Sequence, residues 1–367
     1  MTPLLLYVFI AIAAIQVIYF IVFSVFAFAK IKRSKEQYDI PVSVIICAKN
    51  EAENLEKLIP ELLQQSYKKF EIVLINDASS DETLAIMERF QKEHDHIKIV
   101  DVENNEAFWG NKKYALTLGI KAATHNYLLF TDADCKPLSK HWITEMSQRF
   151  SSSKKIVIGY GAYAKKKYSL LNLLIRFETV MAAVQAFSYA KIGIPYTAVG
   201  RNLAYHRDEF YGVSGFVNHM KIRSGDDDLF IKDAATRKNT AICFSKNSFT
   251  VSQAKTSFLS WFRQKRRHVS TSSHYKFIHK FLLGLFYTSQ LFFWILAIVL
   301  LCTSVWQYAL CVLAFRIIIQ YFVLGFATSK LKEQDVLYLL PILEIFLIII
   351  HFGIFITNLT SKPTHWK

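Results

Sequence analysis

Residues 128–137 read LLFTDADCKP. An apolar run ends in Asp132 and Asp134, two carboxylates one residue apart, shortly before Pro137, which forbids a continuing strand. Carboxylate oxygens so close together suit a hard divalent cation. They equally suit a turn, because Asp is common where a strand gives way to a capped helix. A second cluster, SGDDDLF, sets Asp226, Asp227 and Asp228 in a row after Gly225. A helix N-terminus favours Asp but needs only one cap, and three successive carboxylates repel. Two more polar groups, Lys49-Asn50-Glu51 and Asn76-Asp77, close other apolar runs. A cationic stretch, QKRRH (Gln264–His268), stands upstream of a long apolar segment.

The runs that carry these groups have the pattern of an α/β domain. VSVIIC (Val42–Cys47), IVLI (Ile72–Ile75), IKIV (Ile97–Val100) and YLLF (Tyr127–Phe130) are continuous rather than alternating, as in strands covered on both faces. Between them, Glu53–Gln65, Asp81–His94 and Lys112–Ala123 have helical spacing. Strand-helix alternation predicts a mostly parallel sheet flanked by helices, with ligands at the carboxyl ends of its strands. Three polar clusters then meet at one rim, which turns alone do not require.

Composition places this domain at a membrane. Hydrophobic residues make up 52% of 367, concentrated at the two ends. Residues 4–29 are long and apolar enough to span a bilayer, as are the segments near 281–305, 307–328 and 336–358. No small-residue cleavage site marks the first as a signal peptide. The predicted layout is an N-terminal span (1–30), an α/β domain (31–256), an interfacial segment (257–280) and three C-terminal spans (281–367). The apolar run Tyr168–Tyr189 is broken by Arg176 and Glu178 and is expected to form a helix packed on the sheet or lying at the membrane surface. Lys30, Lys32, Arg33 and Lys35 after the first span, and the cations before the second, predict a cytoplasmic α/β domain. The net charge of +15 then reads as topology and attraction to membrane lipids, with no motif that points to nucleic acid. Arg316 and Glu344 fall mid-span and are expected to pair. Five scattered cysteines without a CxxC predict a reduced compartment and no structural zinc.

In order and spacing, PVSVIICAKNEAENLEKLI, IVLINDASSDET, FTDADCKP, GRNLAYHRDEFYGVSGF, SGDDDLF and QKRRH resemble a membrane-bound family 2 glycosyltransferase. The resemblance covers roughly residues 41–268 and implies a GT-A (Rossmann-like) fold carrying about four transmembrane helices, in a bacterial inner membrane. It implies transfer of a sugar from a nucleotide-sugar donor, a UDP-sugar by family expectation, to a lipid-linked or glycan acceptor with inversion. In such a transfer positive charge develops at the anomeric carbon while the leaving diphosphate gains negative charge. A divalent cation, Mg²⁺ or Mn²⁺, would offset the latter.

Residue by residue, the resemblance implies that Asp134 and Asp132 hold the metal, with Asp132 also facing ribose. Ala48, Glu51 and Asp77 would bind the nucleotide, where Asn76 replaces the first member of the acidic pair many relatives carry. Lys112, in WGNKKYAL, matches a lysine near the nucleotide, although a solvated helix face accounts for it as well. Asp226 would be the base that takes the acceptor proton, and Asp227 is the alternative one register away. Gln264 and Arg267 match a Gln-x-x-Arg-Trp motif that contacts the nucleotide and its diphosphate. His268 replaces the Trp and so offers the acceptor a poorer stacking surface, which disfavours a processive synthase. Arg201 and Asn202 would lie on the acceptor side. The competing readings are a processive polysaccharide synthase, a membrane protein that binds a nucleotide sugar without turnover, and a transporter built on Arg316 and Glu344.

Overall fold

The computed structural model describes residues 2–31, 39–103, 112–222 and 224–361. They fall into two compact units, one of long helices (1–30, 166–192 and 255–363) and one α/β (31–165 and 193–254). Lys32, Arg33 and Lys35, used above for orientation, lie outside the described residues.

In the α/β unit, β1 (Val42–Ala48), β2 (Phe70–Asp77), β3 (Ile97–Val102) and β4 (Tyr127–Asp132) run parallel in the order β3-β2-β1-β4. The crossovers are α2 (Ala52–Leu63), α3 (Thr83–Glu93) and α4 (Lys112–Ala122). Ile72 to Ile75 are fully buried, as continuous apolar strands require when both faces are covered. Beyond β4 the sheet turns antiparallel through β8 (Leu203–His206), then adds β6 (Ile156–Ile158) and β9 (Thr240–Ile242). The register decides the rim: Cys47 pairs with Asp132 and Ala48 with Asn76, so the carboxyl ends of three strands are level. Because β8 is antiparallel with Leu203 against Phe130, the residues that precede it, Gly200–Asn202, reach the same rim.

Pro137 does not end β4. That strand stops at Asp132, and after Ala133 and Asp134 the chain enters a second strand, β5 (Cys135–Pro137), which pairs with β10 (Thr250–Ser252). With β7 (Gly161–Tyr163) these form a three-stranded sheet. The short helices α5 (Trp142–Ser147), α7 (Arg207–Gly212) and α8 (Asp228–Ala234) complete the unit.

The helical unit contains α1 (Thr2–Ala27), α6 (Leu170–Ile192), α9 (Phe258–Ser270), α10 (Phe277–Leu301), α11 (Trp306–Leu331) and α12 (Leu340–Thr360). Five of its helical segments, all but α9, are long and apolar enough to cross a membrane. The fifth, α6, was expected on the sheet or at the membrane surface; instead it belongs to this unit and packs on α1. Its charges are paired. Arg176 Nη1 donates to Asp335 Oδ2 at 2.7 Å and Nε to Glu333 Oε2 at 2.9 Å, while Glu178 meets Lys265 at 2.5 Å.

Arg316 and Glu344 do pair. Arg316 Nη2 donates to Glu344 Oε1 at 2.5 Å and to Gln16 Oε1 at 3.0 Å, and Nη1 donates to Glu344 Oε2 at 2.8 Å and Gln320 Oε1 at 2.5 Å. Gln290 and Trp294 donate to the same carboxylate at 2.7 and 3.2 Å. A buried ion pair of this kind is tolerable in an apolar bundle because neighbouring donors satisfy the remaining lone pairs. It joins α1, α10, α11 and α12, and is structural in form.

Candidate active site

Two loops on the sheet rim hold each other in place. After β1, Asn50 adopts a left-handed conformation (φ 55°), and after β2 so does Ala78 (φ 50°), where a residue with a Cβ is strained. Asn50 N–H donates to Ser79 Oγ at 3.0 Å, and Ser80 N–H donates back to Asn50 Oδ1 at 2.8 Å. Glu51 N–H donates to Thr83 Oγ1 at 2.9 Å, and Ala52 N–H to Asp81 Oδ2 at 3.3 Å. The Ser/Asp-rich loop thus supplies acceptors to the first turn of α2 as well as to α3. The result is a rigid edge beside Ala48, which is buried, and Glu51, whose carboxylate accepts from Asn54 at 2.6 Å.

Asp77 is buried, and burial raises its pKa against the lowering influence of Lys49 and Lys112. Asn76 has a different duty. Its amide donates to Asp101 Oδ1 at 2.7 Å and its oxygen accepts from Ser79 N–H at 3.2 Å. An acid at position 76 would face Asp101 with like charge, so the amide is the residue this neighbour requires.

The central contact is made by Lys112, at the start of α4. Its Nζ lies 2.8 Å from Asp132 Oδ1 and 3.1 Å from Asp226 Oδ2. The solvated-face alternative is set aside by its side-chain exposure of 14%. Burial would lower the Lys112 pKa, yet Asp132 and Asp226 raise it well above the usual value. Reciprocally, burial would raise Asp226 and the Lys112 ammonium holds it below the ordinary carboxylate range.

Asp132 and Asp134 stand with Cys135 in a cluster whose candidate ligand atoms all lie within 4.8 Å of one another. The carboxylate of Asp134 reaches solvent, yet the surrounding protein and then the Asp132 charge raise its pKa. That unrelieved repulsion, between two hard oxygen donors, is what a divalent cation would remove. Cys135 is no ligand for such a cation: burial holds its thiol protonated, and it donates to Asp134 Oδ1 at 3.3 Å. The residues therefore fit Mg²⁺ or Mn²⁺ held by the two carboxylates.

The three consecutive acids do different things. Asp228 Oδ1 accepts from Leu229 N–H at 2.7 Å. Asp227 caps α8, accepting from Asp228 N–H at 2.7 Å through Oδ1 and from Gly200 N–H at 2.8 Å through Oδ2. Burial and its two acidic neighbours push Asp227 up to about 7. Asp226 faces Lys112. Gly225, with φ +94°, makes the turn that leads into them, and a Cβ there would strike Leu229. Gly200 was not singled out in the sequence, since nothing in its neighbours marks it as the partner of Asp227. Lys112, Asp132, Asp226, Asp227 and Gly200 line one cavity with Thr131, whose buried hydroxyl has no hydrogen-bond partner.

Arg201 and Asn202, expected on the acceptor side, turn inward. Asn202 is completely buried; it accepts from Trp142 Nε1 at 3.0 Å and donates to the carbonyls of Tyr160 and Ser248 at 2.8 and 2.7 Å. Arg201 donates to Ser252 Oγ at 2.6 Å and Gly161 O at 2.7 Å, and lies 4.1 Å over the Tyr163 ring. Both side chains are committed to joining the two sheets.

Gln264, Arg267 and His268 lie on α9, in the helical unit. Ser257 caps that helix. Two of its other cations anchor it: Lys265 pairs with Glu178 of α6, and Arg266 donates to Asn358 Oδ1 at 3.0 Å and Ser361 O at 2.7 Å at the end of α12. Gln264 and Arg267, three apart, share the helix face that these anchors leave. The Gln264 side-chain oxygen is buried without a hydrogen-bond partner.

A mixed sheet with Asp77, the Asp132/Asp134 pair and a lysine-held acidic loop at its rim has the architecture of a GT-A fold. Residues 43–222, just under half of this chain, match the family model "Glycosyl transferase family 2", so the chain carries a domain of that family. Over 102 residues it is 37% identical to poly-β-1,6-N-acetyl-D-glucosamine synthase of Staphylococcus epidermidis, covering 28% of this chain and 24% of that one. The synthase of the same name from Staphylococcus aureus strain COL is 34% identical over 93 residues, 25% of this chain and 21% of that one. The match thus spans about a quarter of these relatives' length. A mannosyltransferase from Pyrobaculum calidifontis, solved with GDP-Man and Mn²⁺, superposes with TM-score 0.61 over 92% of this chain and 98% of its own, at 16% identity. That likeness shows the fold.

Proposed function

We propose that this chain is a membrane-embedded, inverting glycosyltransferase that moves one sugar from a nucleotide-sugar donor to a lipid-linked or glycan acceptor at the cytoplasmic face. The observation that carries the proposal is the Lys112 ammonium shared between Asp132 of the DxD pair and Asp226 of the acidic loop. It links the place where a diphosphate would leave to the place where a proton would be taken. The fold likeness to a transferase solved with GDP-Man and Mn²⁺ supports the donor class and the metal.

Ala48, Glu51 and Asp77 edge the pocket for the nucleoside, and Asp77 accepts from its base or ribose. Asp132 and Asp134 would hold the divalent cation, which when bound offsets negative charge on the donor diphosphate. Asp226 takes the proton from the acceptor hydroxyl. The freed oxygen forms its bond to the anomeric carbon opposite the leaving group, whose electron pair stays with the diphosphate. Asp226 is preferred over Asp227 on geometry, because both Asp227 oxygens are occupied by backbone N–H groups. We assign Gln264 and Arg267 to the diphosphate and His268 to the acceptor, with Arg267 able to bind phosphate bidentately. Arg201 and Asn202 act as positioning residues for the strand ends that carry the site.

The purified protein should release nucleoside diphosphate from a nucleotide sugar carrying N-acetylglucosamine, mannose or glucose, and require Mg²⁺ or Mn²⁺. Unchanged release by both Asp134→Ala and Asp226→Asn would overturn the proposal. A processive reading is favoured by one observation, the likeness to relatives named as synthases of a polymer. His268 in place of a stacking Trp favours single addition. Product masses decide: a ladder of long polymer refutes single addition.

A further inference from the structure

The residue after the central lysine is a second, fully buried lysine that the proposed reaction does not use. Lys113 is 1% exposed. Its Nζ donates to three main-chain carbonyls of one loop: His219 at 2.8 Å, Ile222 at 3.0 Å and Ser224 at 2.7 Å. An ammonium has three donors, and here each has a carbonyl in the segment that leads directly into Gly225 and Asp226. Charge-assisted bonds of this kind are about twice as strong as neutral ones.

The loop needs such a hold. Among its described residues the loop between α7 and α8 has no sheet partner, and its backbone passes through left-handed conformations at Ser214 (φ 61°), Gly215 (φ 60°) and Gly225 (φ 94°). Its own hydrogen bonds are short-range turns, His219 N–H to Phe216 O at 3.0 Å and Ile222 N–H to His219 O at 3.0 Å. Such turns fix local shape but not the distance from the loop to the sheet. That distance determines whether Asp226 meets Lys112.

We propose that Lys113 is a positioning residue: by gathering the carbonyls of 219, 222 and 224 onto α4 it sets Asp226 against Lys112 and the acceptor hydroxyl. Consecutive residues of one helix thus fix the acidic loop twice, Lys112 by its carboxylate and Lys113 by its backbone. This rests on the reading of Asp226 as the base, and the test separates the two. The three carbonyls that Lys113 holds belong to none of the groups assigned to the donor, so its loss falls on kcat.

Lys113→Met, Lys113→Gln and Lys113→Arg are compared with the wild type in two measurements on the full-length protein in detergent. The first is kcat and donor KM for nucleoside diphosphate release. The second is hydrogen exchange of the amides in 219–226, which needs no turnover. In Lys113→Met and Lys113→Gln, kcat should fall by about 10²-fold, the loss associated with misplacing a reacting group by ~1 Å, with donor KM within about three-fold. Loop exchange should quicken at least about ten-fold in the same variants. Lys113→Arg, which keeps a cation and several donors, should recover most of both. Unchanged loop exchange in either neutral variant overturns the positioning role whatever the activity. An arginine variant as impaired as the methionine one also overturns it, because the side chain would then matter only as packing. Faster exchange with unaltered kcat leaves the clamp standing but removes Asp226 from the reaction.

Discussion

Lys112→Met separates electrostatics from packing at the centre of the proposed site. Methionine keeps most of the aliphatic stem and removes only the charge and its donors. The ammonium lies 2.8 Å from Asp132 and 3.1 Å from Asp226, so each contact is worth about 5–6 kcal/mol of raw attraction at an effective dielectric constant of ~20. The Asp132 side chain is 37% exposed, and water screens much of its share. Asp226, at 14%, is closer to the buried limit, where deleting one partner costs about 3–5 kcal/mol. In a unit of this size that corresponds to a midpoint of thermal unfolding lower by roughly 10 °C. The pH dependence identifies the cause. In the wild type Asp226 is held below its unfolded value, so its contribution is complete above that value and is lost as pH falls through the folded one. Without Lys112, burial is opposed by a backbone hydrogen bond and the more distant Lys113, and the Asp226 pKa rises. The destabilisation should therefore be full at pH 8 and shrink toward pH 4.5. Over the same range the acid limb of kcat/KM should move to higher pH, while Lys112→Arg keeps both properties near the wild type. A melting offset equal at both pH values would mean lost packing. An unmoved acid limb would refute Asp226 as the base.

Three further changes test other parts of the structure. Asp227, pushed up to about 7, binds a proton more tightly folded than unfolded; its influence on stability therefore becomes less favourable as pH rises from about 4 to 7, by up to about 1.4 kcal/mol per pH unit. The penalty of Asp227→Asn should accordingly be smaller at pH 8 than at pH 5 in thermal melts, and a constant penalty refutes the assignment. Glu71, beneath the sheet, would be raised by burial but is lowered by bonds from Ser43 at 2.6 Å and from the Thr124 amide and hydroxyl at 2.5 and 2.8 Å. Its stabilisation is present at neutral pH and lost in acid, so Glu71→Gln should cost about 2–3 kcal/mol at pH 7 by denaturant unfolding and less near pH 3. In the helical unit, Glu344→Leu leaves Arg316 buried without its carboxylate and should cost about 3–5 kcal/mol, whereas Arg316→Met combined with Glu344→Leu should cost much less than the sum of the single changes.

The parallel half of the sheet was legible because its strands are buried on both faces and read as unbroken apolar runs. The short strands were not: β6 and β9 of that sheet and β7 and β10 of the second have three residues each, too few for a period to register. Helix α6 was misplaced for a related reason. Arg176 and Glu178 read as a polar interruption unsuited to an apolar bundle. Their partners, Glu333, Asp335 and Lys265, are some 90–160 positions away in sequence, and no local pattern announces them.

The site shows the same division between residue type and partner. Asp132, Asp134, Asp77 and the Asp226 cluster were visible because carboxylates at strand ends are unusual and sequence order brings them to one rim. Arg201 and Asn202 were equally conspicuous, a charge and an amide before a strand, yet their hydrogen bonds run back to Ser252, Gly161, Tyr160 and Ser248. A polar side chain at a rim declares that it needs partners; it does not declare on which side of the rim they are. The reverse case is Lys113, silent in the sequence beside Lys112 because a lysine on a helix normally faces water. Only the fold, by closing the loop 219–224 over it, turns that cation into a fixed point for the acid next to it. The chemistry of this rim is thus written in its carboxylates, and its geometry in the cations and amides that hold them.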